Sequence, residues 1–373
     1  MNVGIIGGGL NGLALGLALR LFGIDFTIFE RSSPPGAGGS GIYIWPQGVQ
    51  ILTALLGDTG LLAEGHCIDF LTTLSRSGDI IQSQPVRPHE QQIAAPACMF
   101  LRERLHAALL ARVGAGCVVA GRACVGIRQD SGSATALFHD GGEATFDVIV
   151  GADGIHSAVR RALWPDRRAV DSGLGVSRGI VPFAHERLWD DHCQIFAGQH
   201  RRIVTYCTRA ETHERYWFAA YTREANKPAL GSAALAQRFD DFPPFLREML
   251  AATRAEDTLE GVLRELPPCD TWSSGRVVLL GDSVHAQLPT IGYGLTLGLE
   301  NGFMLAQALA SGPFDIGQAL RRYERRARAR SQEIVELTRR FTELFYFADA
   351  PVSSQALQPL YERFTATLSS SPF

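Results

Sequence analysis

The chain has 373 residues, 46% apolar and 20% charged, with a formal net charge of −3. That length points to two or three packed units, the composition excludes a disordered chain, and the slight acidity excludes a dedicated nucleic-acid binder. Its 35 basic residues include one lysine, Lys227, in a loop-like ANKP context, which excludes Schiff-base catalysis and a Walker phosphate loop. The seven cysteines (67, 98, 117, 124, 193, 207, 269) are scattered, with no C-x-x-C pair. They read as free thiols of a reduced, cytoplasmic protein rather than a disulfide framework or zinc site. The apolar N-terminus meets Arg20 too soon for a membrane span and lacks a basic start, so neither membrane nor export signal is expected.

In chain order, VGII (3–6) is a strand, the alanine- and leucine-rich stretch to Phe22 a helix, and Asp25–Glu30 a second strand. Together they make a β-α-β unit. A Gly/Pro-rich loop follows at 32–41, then a helix at 47–56, strands in 68–83 and a helix over 101–113. Residues 117–149 read as a meander ending in an apolar strand. The alternating aromatic and β-branched residues of 173–223 predict an antiparallel sheet. Helices resume at 232–254, VVLLGD (277–282) is a buried strand, and 315–347 is helical with Leu337, Phe341, Leu344 and Phe345 on one stripe.

Gly7-x-Gly9-x-x-Gly12 sits between the first strand and its helix. Gly7 permits the tight turn, Gly9 lets a pyrophosphate approach the backbone, and Gly12 lets helix and strand pack closely. Glu30 ends the second strand, where a carboxylate accepts both ribose hydroxyls of an adenosine and disfavours a 2′-phosphate. This motif calls for FAD or NAD.

Three further stretches choose between them: Leu101-Arg102-Glu103-Arg104-Leu105, VIVGADGIHSAVRRAL (148–163) and RVVLLGDSVHAQLPTIGYGLTLGLENG (276–302). With these the chain resembles the single-component FAD-dependent monooxygenases of the para-hydroxybenzoate hydroxylase type. The resemblance implies a Rossmann-type FAD-binding domain (1–67, 100–170 and 268–312), an inserted antiparallel-sheet substrate domain (68–99 and 171–267) and a C-terminal helical segment (313–373). It implies that Arg102 reaches the FAD pyrophosphate or ribityl region. Asp153 would lie near the pyrophosphate and the nicotinamide path, Asp282 on the ribityl chain, and Pro289 beside the isoalloxazine. The N–H groups of Gly292–Gly294 would face the pyrimidine edge, where reduced flavin gathers negative charge. Arg31 and Gly41 complete the candidate cofactor set.

The chain also departs from that pattern: Tyr293 replaces a usual Gln, Thr296 a common Asn, and Glu300-Asn301 a common Glu-Asp pair. Phe183, Tyr206, Phe218, Tyr221 and Tyr293 are candidate substrate contacts. His285 reads as a packed histidine, Arg160 as a donor-phosphate ligand or a solvated arginine, and RRYERRARAR (321–330) as a solvated helix face. The implied function is hydroxylation or epoxidation of an apolar aromatic or polyketide-like molecule with NADPH or NADH and O₂, by a monomer or homodimer. No catalytic base and no metal-ligand spacing stands out. The alternative keeps FAD as a scaffold for a non-redox cyclisation or rearrangement.

Overall fold

The computed structural model describes residues 1–33, 40–57, 60–86, 95–224, 227–311 and 315–370; most of the loop expected at 32–41 lies outside them. The first sheet has six strands, in the order Ser273–Ser274, Val277–Leu279, Val148–Gly151, Asn2–Ile6, Asp25–Glu30, Val118–Ala120. Neighbours run parallel except at the Ser273–Ser274 edge. Val3, Ile5, Ile149 and Val278 are fully buried, as expected of parallel strands covered on both faces. The helices Leu10–Leu21 and Gly294–Ala310 pack together over this sheet. Asn2–Ile6 pairs with its successor strand on one side and with Val148–Gly151 on the other. Ligands of open α/β sheets bind at the carboxyl ends of strands at such a switch point.

The second sheet has seven strands, in the order Thr258–Glu265, Val170–Pro182, Glu214–Thr222, Arg201–Arg209, His192–Gly198, Phe70–Ser75, Ile80–Pro85. It is antiparallel but for one contact, Phe70–Ser75 alongside His192–Gly198. Its faces follow the two-residue period of a strand. Tyr216, Phe218 and Ala220 face a core shared with Tyr43, Leu288 and Phe341, whereas Trp217, Ala219 and Tyr221 face the helices Ser232–Arg238 and Pro244–Ala252.

A small sheet, in the order Gly41–Ile44, Ala97–Leu101, His66–Ile68, links the two large ones. The boundaries expected at 67/68 and 99/100 therefore cut through paired strands. This sheet also corrects the reading of the cysteines. Cys67 stands opposite Cys98 and the two are disulfide-bonded, leaving Cys117, Cys124, Cys193, Cys207 and Cys269 free. Their sequence separation of 31 hides a partnership that only strand register creates.

The chain ends in the helix Ile316–Thr342, one π-helical turn at Glu343–Phe347 and the helix Ser354–Ser369. Leu337, Phe341 and Phe345 are buried with Leu344 packed beside them, and Leu357, Tyr361 and Phe364 of the last helix join the same core.

Candidate active site

At the end of the first strand Gly7 takes a φ of +112°, and a Cβ there would lie 2.4 Å from the Ala152 carbonyl oxygen. A Cβ on Gly12 would lie 2.0 Å from the Gly7 oxygen, so the helix can approach the turn only without a side chain. Gly9 is different: a Cβ would meet nothing within 4 Å, and the residue borders a cavity of about 320 Å³. The Glu30 carboxylate accepts the N–H groups of Gly8 (2.8 Å) and Ser32 (2.9 Å). Ionised, it keeps lone pairs free for a further donor. Arg31 is exposed beside it.

The opposite rim gathers charges from distant segments. Arg102 and Asp282 both border the cavity. Asp282 is open to the cavity yet ringed by protein; this burial pushes its carboxyl up, while Arg102 pulls it down. Asp153 stands between Ala152 and Gly154, which line the cavity. Its Oδ2 accepts the N–H groups of Ala158 (2.6 Å) and Val159 (3.2 Å), and burial raises its pKa. The Nε of Arg102, Asp153 Oδ1 and Asn11 Oδ1 are buried without hydrogen-bond partners among the described residues. Unpaired polar atoms gathered at a cavity rim fit a polar, hydroxyl- and phosphate-bearing ligand such as FAD. Arg160 is not solvated: it is 3% exposed and donates to the carbonyls of Arg167, Ser283 and Ile155.

The loop 288–294 borders the same cavity. Leu288, Pro289, Gly292 and Gly294 line it, and Gly294 opens the helix 294–310. Tyr293 does not line it. Its side chain is fully buried, and its hydroxyl donates to Glu300 (2.7 Å). Arg330 holds the same carboxylate through Nε (2.8 Å) and Nη2 (3.0 Å). The arginine-rich run is thus corrected at its end: Arg330 is inside, as are Tyr323 and Ala327. Burial works to lower the Arg330 pKa, but its bonds and charge contact with Glu300 raise it overall. Breaking such a pair from one side costs about 3–5 kcal/mol.

Beyond the loop the cavity is walled by rings: Tyr206, Tyr216 and Phe218 from the sheet, and Phe341, Phe345, Tyr361 and Phe364 from the C-terminal helices. Gly41 borders it here, where a Cβ would strike the Tyr216 ring and the Tyr206 hydroxyl. Phe183 and Tyr221 are corrected. Both lie with the core on the far side of the sheet, Tyr221 one step out of phase with Phe218. The sequence reading missed Arg202, which lines the cavity while 1% exposed. Its Nε donates to the Tyr346 hydroxyl (2.6 Å) and its Nη2 to the Thr290 carbonyl (3.0 Å). It also missed Trp45, whose Nε1 donates to the Ile291 carbonyl. The 337–345 stripe was a usable signal, but it tells only that a helix face is buried. His285 is buried; its ring accepts from Asn301 Nδ2 at 2.9 Å, and burial pulls its pKa down to about 4.

The FAD binding domain family model matches residues 1–338. The chain belongs to this family. It is 30% identical to the 3-amino-4-hydroxybenzoate 2-monooxygenase of Streptomyces cremeus, over 94% of this chain and 89% of that one. It is 31% identical to the aurachin C monooxygenase/isomerase of Stigmatella aurantiaca, over 87% and 84%. The Klebsiella pneumoniae HpxO structure with FAD and uric acid shares the fold with a TM-score of 0.85 at 24% identity, covering 100% of this chain and 93% of that one. The family member described here is an FAD-dependent monooxygenase, and NAD(P)H is the family's usual reductant. No helix among the described residues is long and apolar enough to cross a membrane.

Proposed function

We propose that the chain hydroxylates or epoxidises a planar, largely apolar aromatic or polyketide-like molecule. The observation that carries this reading is one cavity lined by the Gly9 turn, Arg102 and Asp282, the 288–294 loop and the aromatic wall. Relatives named for 3-amino-4-hydroxybenzoate, a 4(1H)-quinolone and urate support a ring substrate. Bound FAD would supply the electrons taken from NAD(P)H and the ring that activates O₂.

The chain's own residues would bind and orient. Gly9 and its helix N-terminus would take the pyrophosphate, Glu30 the ribose, Arg102 the pyrophosphate or ribityl region, and Asp282 the ribityl hydroxyls. Asp153 would sit on the pyrophosphate side, Pro289 beside the ring, and the N–H groups of Gly292–Gly294 at its pyrimidine edge. We keep the division into a cofactor unit and a sheet unit as proposed from sequence, with the boundaries at 67 and 99 moved off the strands. The cytoplasmic setting is likewise our reading, from the five cysteines that stay free.

The aromatic wall offers no base at neutral pH. Burial holds Tyr216, Tyr361 and Cys193 up to about 12 and Tyr43 and Tyr206 well above their ordinary range. A substrate must therefore bring its own electron-rich carbon, as an amino- or hydroxy-substituted ring does. The test is turnover of such rings under labelled O₂ with NADH and NADPH. The expected product is heavier by one labelled oxygen and forms only with O₂ and reductant. An isomer formed anaerobically without NAD(P)H would overturn this reading in favour of rearrangement, an outcome kept in view by the relative named monooxygenase/isomerase.

A further inference from the structure

Tyr293 and Thr296, two of the departures from the resembled pattern, both have hydrogen-bond partners. Thr296 Oγ1 accepts the Trp45 N–H at 3.1 Å, and the Trp45 indole holds the Ile291 carbonyl at 3.1 Å. The Tyr293 hydroxyl is held by both Glu300 (2.7 Å) and Arg330 Nη2 (3.1 Å). Arg330 is the branch point. Its Nη1 donates to the carbonyls of Thr367 (2.8 Å) and Ser370 (3.1 Å), at the end of the helix 354–369. That helix carries Tyr361 and Phe364 into the cavity wall, and the Phe364 ring lies 5.8 Å from Tyr293 and 4.9 Å from Trp45. One guanidinium thus touches the loop, the helix behind it and the end of the chain's last helix.

We propose that Arg330 is a positioning residue that latches the helix 354–369 to the 288–294 loop through Tyr293 and Glu300, so that the cofactor and substrate walls of the cavity are set together. The physical ground is the network's completeness. Glu300 and Tyr293 expose nothing, and each polar atom in the chain of bonds satisfies another. A half-made network of buried charges is worse than none, so it favours one joint arrangement of loop and helix. By linkage, a cofactor that favours the ordered loop must favour the docked helix, and the docked helix must favour the cofactor by the same factor. The proposal rests on the proposed function for its place in turnover, but the latch itself is a coupling between cofactor binding and the last helix.

The test is amide hydrogen exchange across 354–369 in the full-length chain, depleted of FAD and saturated with it. Tyr293→Phe removes one hydroxyl and nothing else; Arg330→Met removes the branch point, and Arg330→Lys keeps only its charge. In the unsubstituted protein FAD should slow exchange of the last helix by about tenfold, within the usual range of such couplings. Tyr293→Phe and Arg330→Met should cut that gain to about twofold or less, with Arg330→Lys in between. A merely structural role would lower the melting temperature and leave the FAD-induced gain intact, which would overturn the latch. So would a gain that is absent in the unsubstituted chain. Should Arg330→Met fail to fold, Tyr293→Phe still decides. Failure to oxygenate any ring would refute the functional reading while leaving the exchange result to stand or fall alone.

Discussion

Where the cavity meets the Gly7–Gly12 turn it is bordered by Gly9, Leu10 and Asn11 from one short stretch of sequence; its other end is walled by aromatic side chains gathered from two strands and the C-terminal helices. The first end is specified by what is missing, since Gly7 and Gly12 have no room for a Cβ. The second is specified by register, since Phe218 and Tyr221 belong to one strand and face opposite sides. A main-chain site tolerates no added atom, whereas a side-chain site tolerates substitution but not a one-residue slip.

The largest expected effects come from adding atoms at the main-chain end, and two glycines should fail differently. Gly12→Val drives a branched side chain into the Gly7 carbonyl, so the β-α-β unit should not assemble and the protein should be insoluble. Gly9→Val points into open cavity and should fold, yet fill the space a pyrophosphate needs. Circular dichroism should report a native Gly9→Val fold and absorption near 450 nm should report no flavin. A folded, yellow Gly9→Val protein with normal stoichiometry would break the contrast.

Next in size is Asp282→Ala, which removes a charged acceptor facing the cavity. Hydrogen bonds to charged groups contribute about 1.5–3 kcal/mol, so FAD should bind about tenfold or more weakly. Fluorescence titration of the depleted protein measures this. An unchanged dissociation constant would give Asp282 a structural role.

This contrast also explains what could be read from the sequence. The Gly7–Gly12 spacing and the strand ends near Asp153 and Asp282 are local, so the β-α-β unit and the Rossmann-type cofactor domain were legible in the sequence, whereas the strand order of the six-stranded sheet was not. Phe183 and Tyr221 misled because aromatic composition does not report phase along a strand. Arg330 was hidden in a run of arginines, and only the crossing of the helices 294–310 and 316–342 turns it inward. Cys67 and Cys98 meet through the register of a small sheet, which no residue spacing announces.

His285 tests the segment joining the two ends, since Asp282 precedes it and Leu288 follows. Its pKa falls from 6.5 to about 4 through burial, so the unfolded chain binds the proton first as pH drops. Stability is then fully present above about pH 6.5 and is lost as pH falls towards 4. Between pH 7.5 and 5 this residue should cost about 2 kcal/mol. Urea unfolding of the protein and of His285→Gln at both pH values measures the difference. Equal acid sensitivity in the two would exclude the buried neutral imidazole.

The smallest effect sharpens the contrast most, because it separates two rings three residues apart. The Tyr221 hydroxyl accepts the Leu230 N–H at 2.6 Å on the far face of the sheet, and Phe218 lines the cavity on the near face. Tyr221→Phe leaves the Leu230 N–H without its acceptor and should cost about 1 kcal/mol of stability. It adds and removes nothing in the cavity, so the KM for the ring substrate should not move. Phe218→Leu keeps the apolar character but trims the wall, and should raise KM several-fold while kcat follows how well the smaller wall still aligns the ring. The pair is measured by steady-state kinetics and thermal melting on the same samples. A KM change in Tyr221→Phe as large as that in Phe218→Leu would mean that the two faces communicate through the strand, and that phase alone does not define the substrate wall.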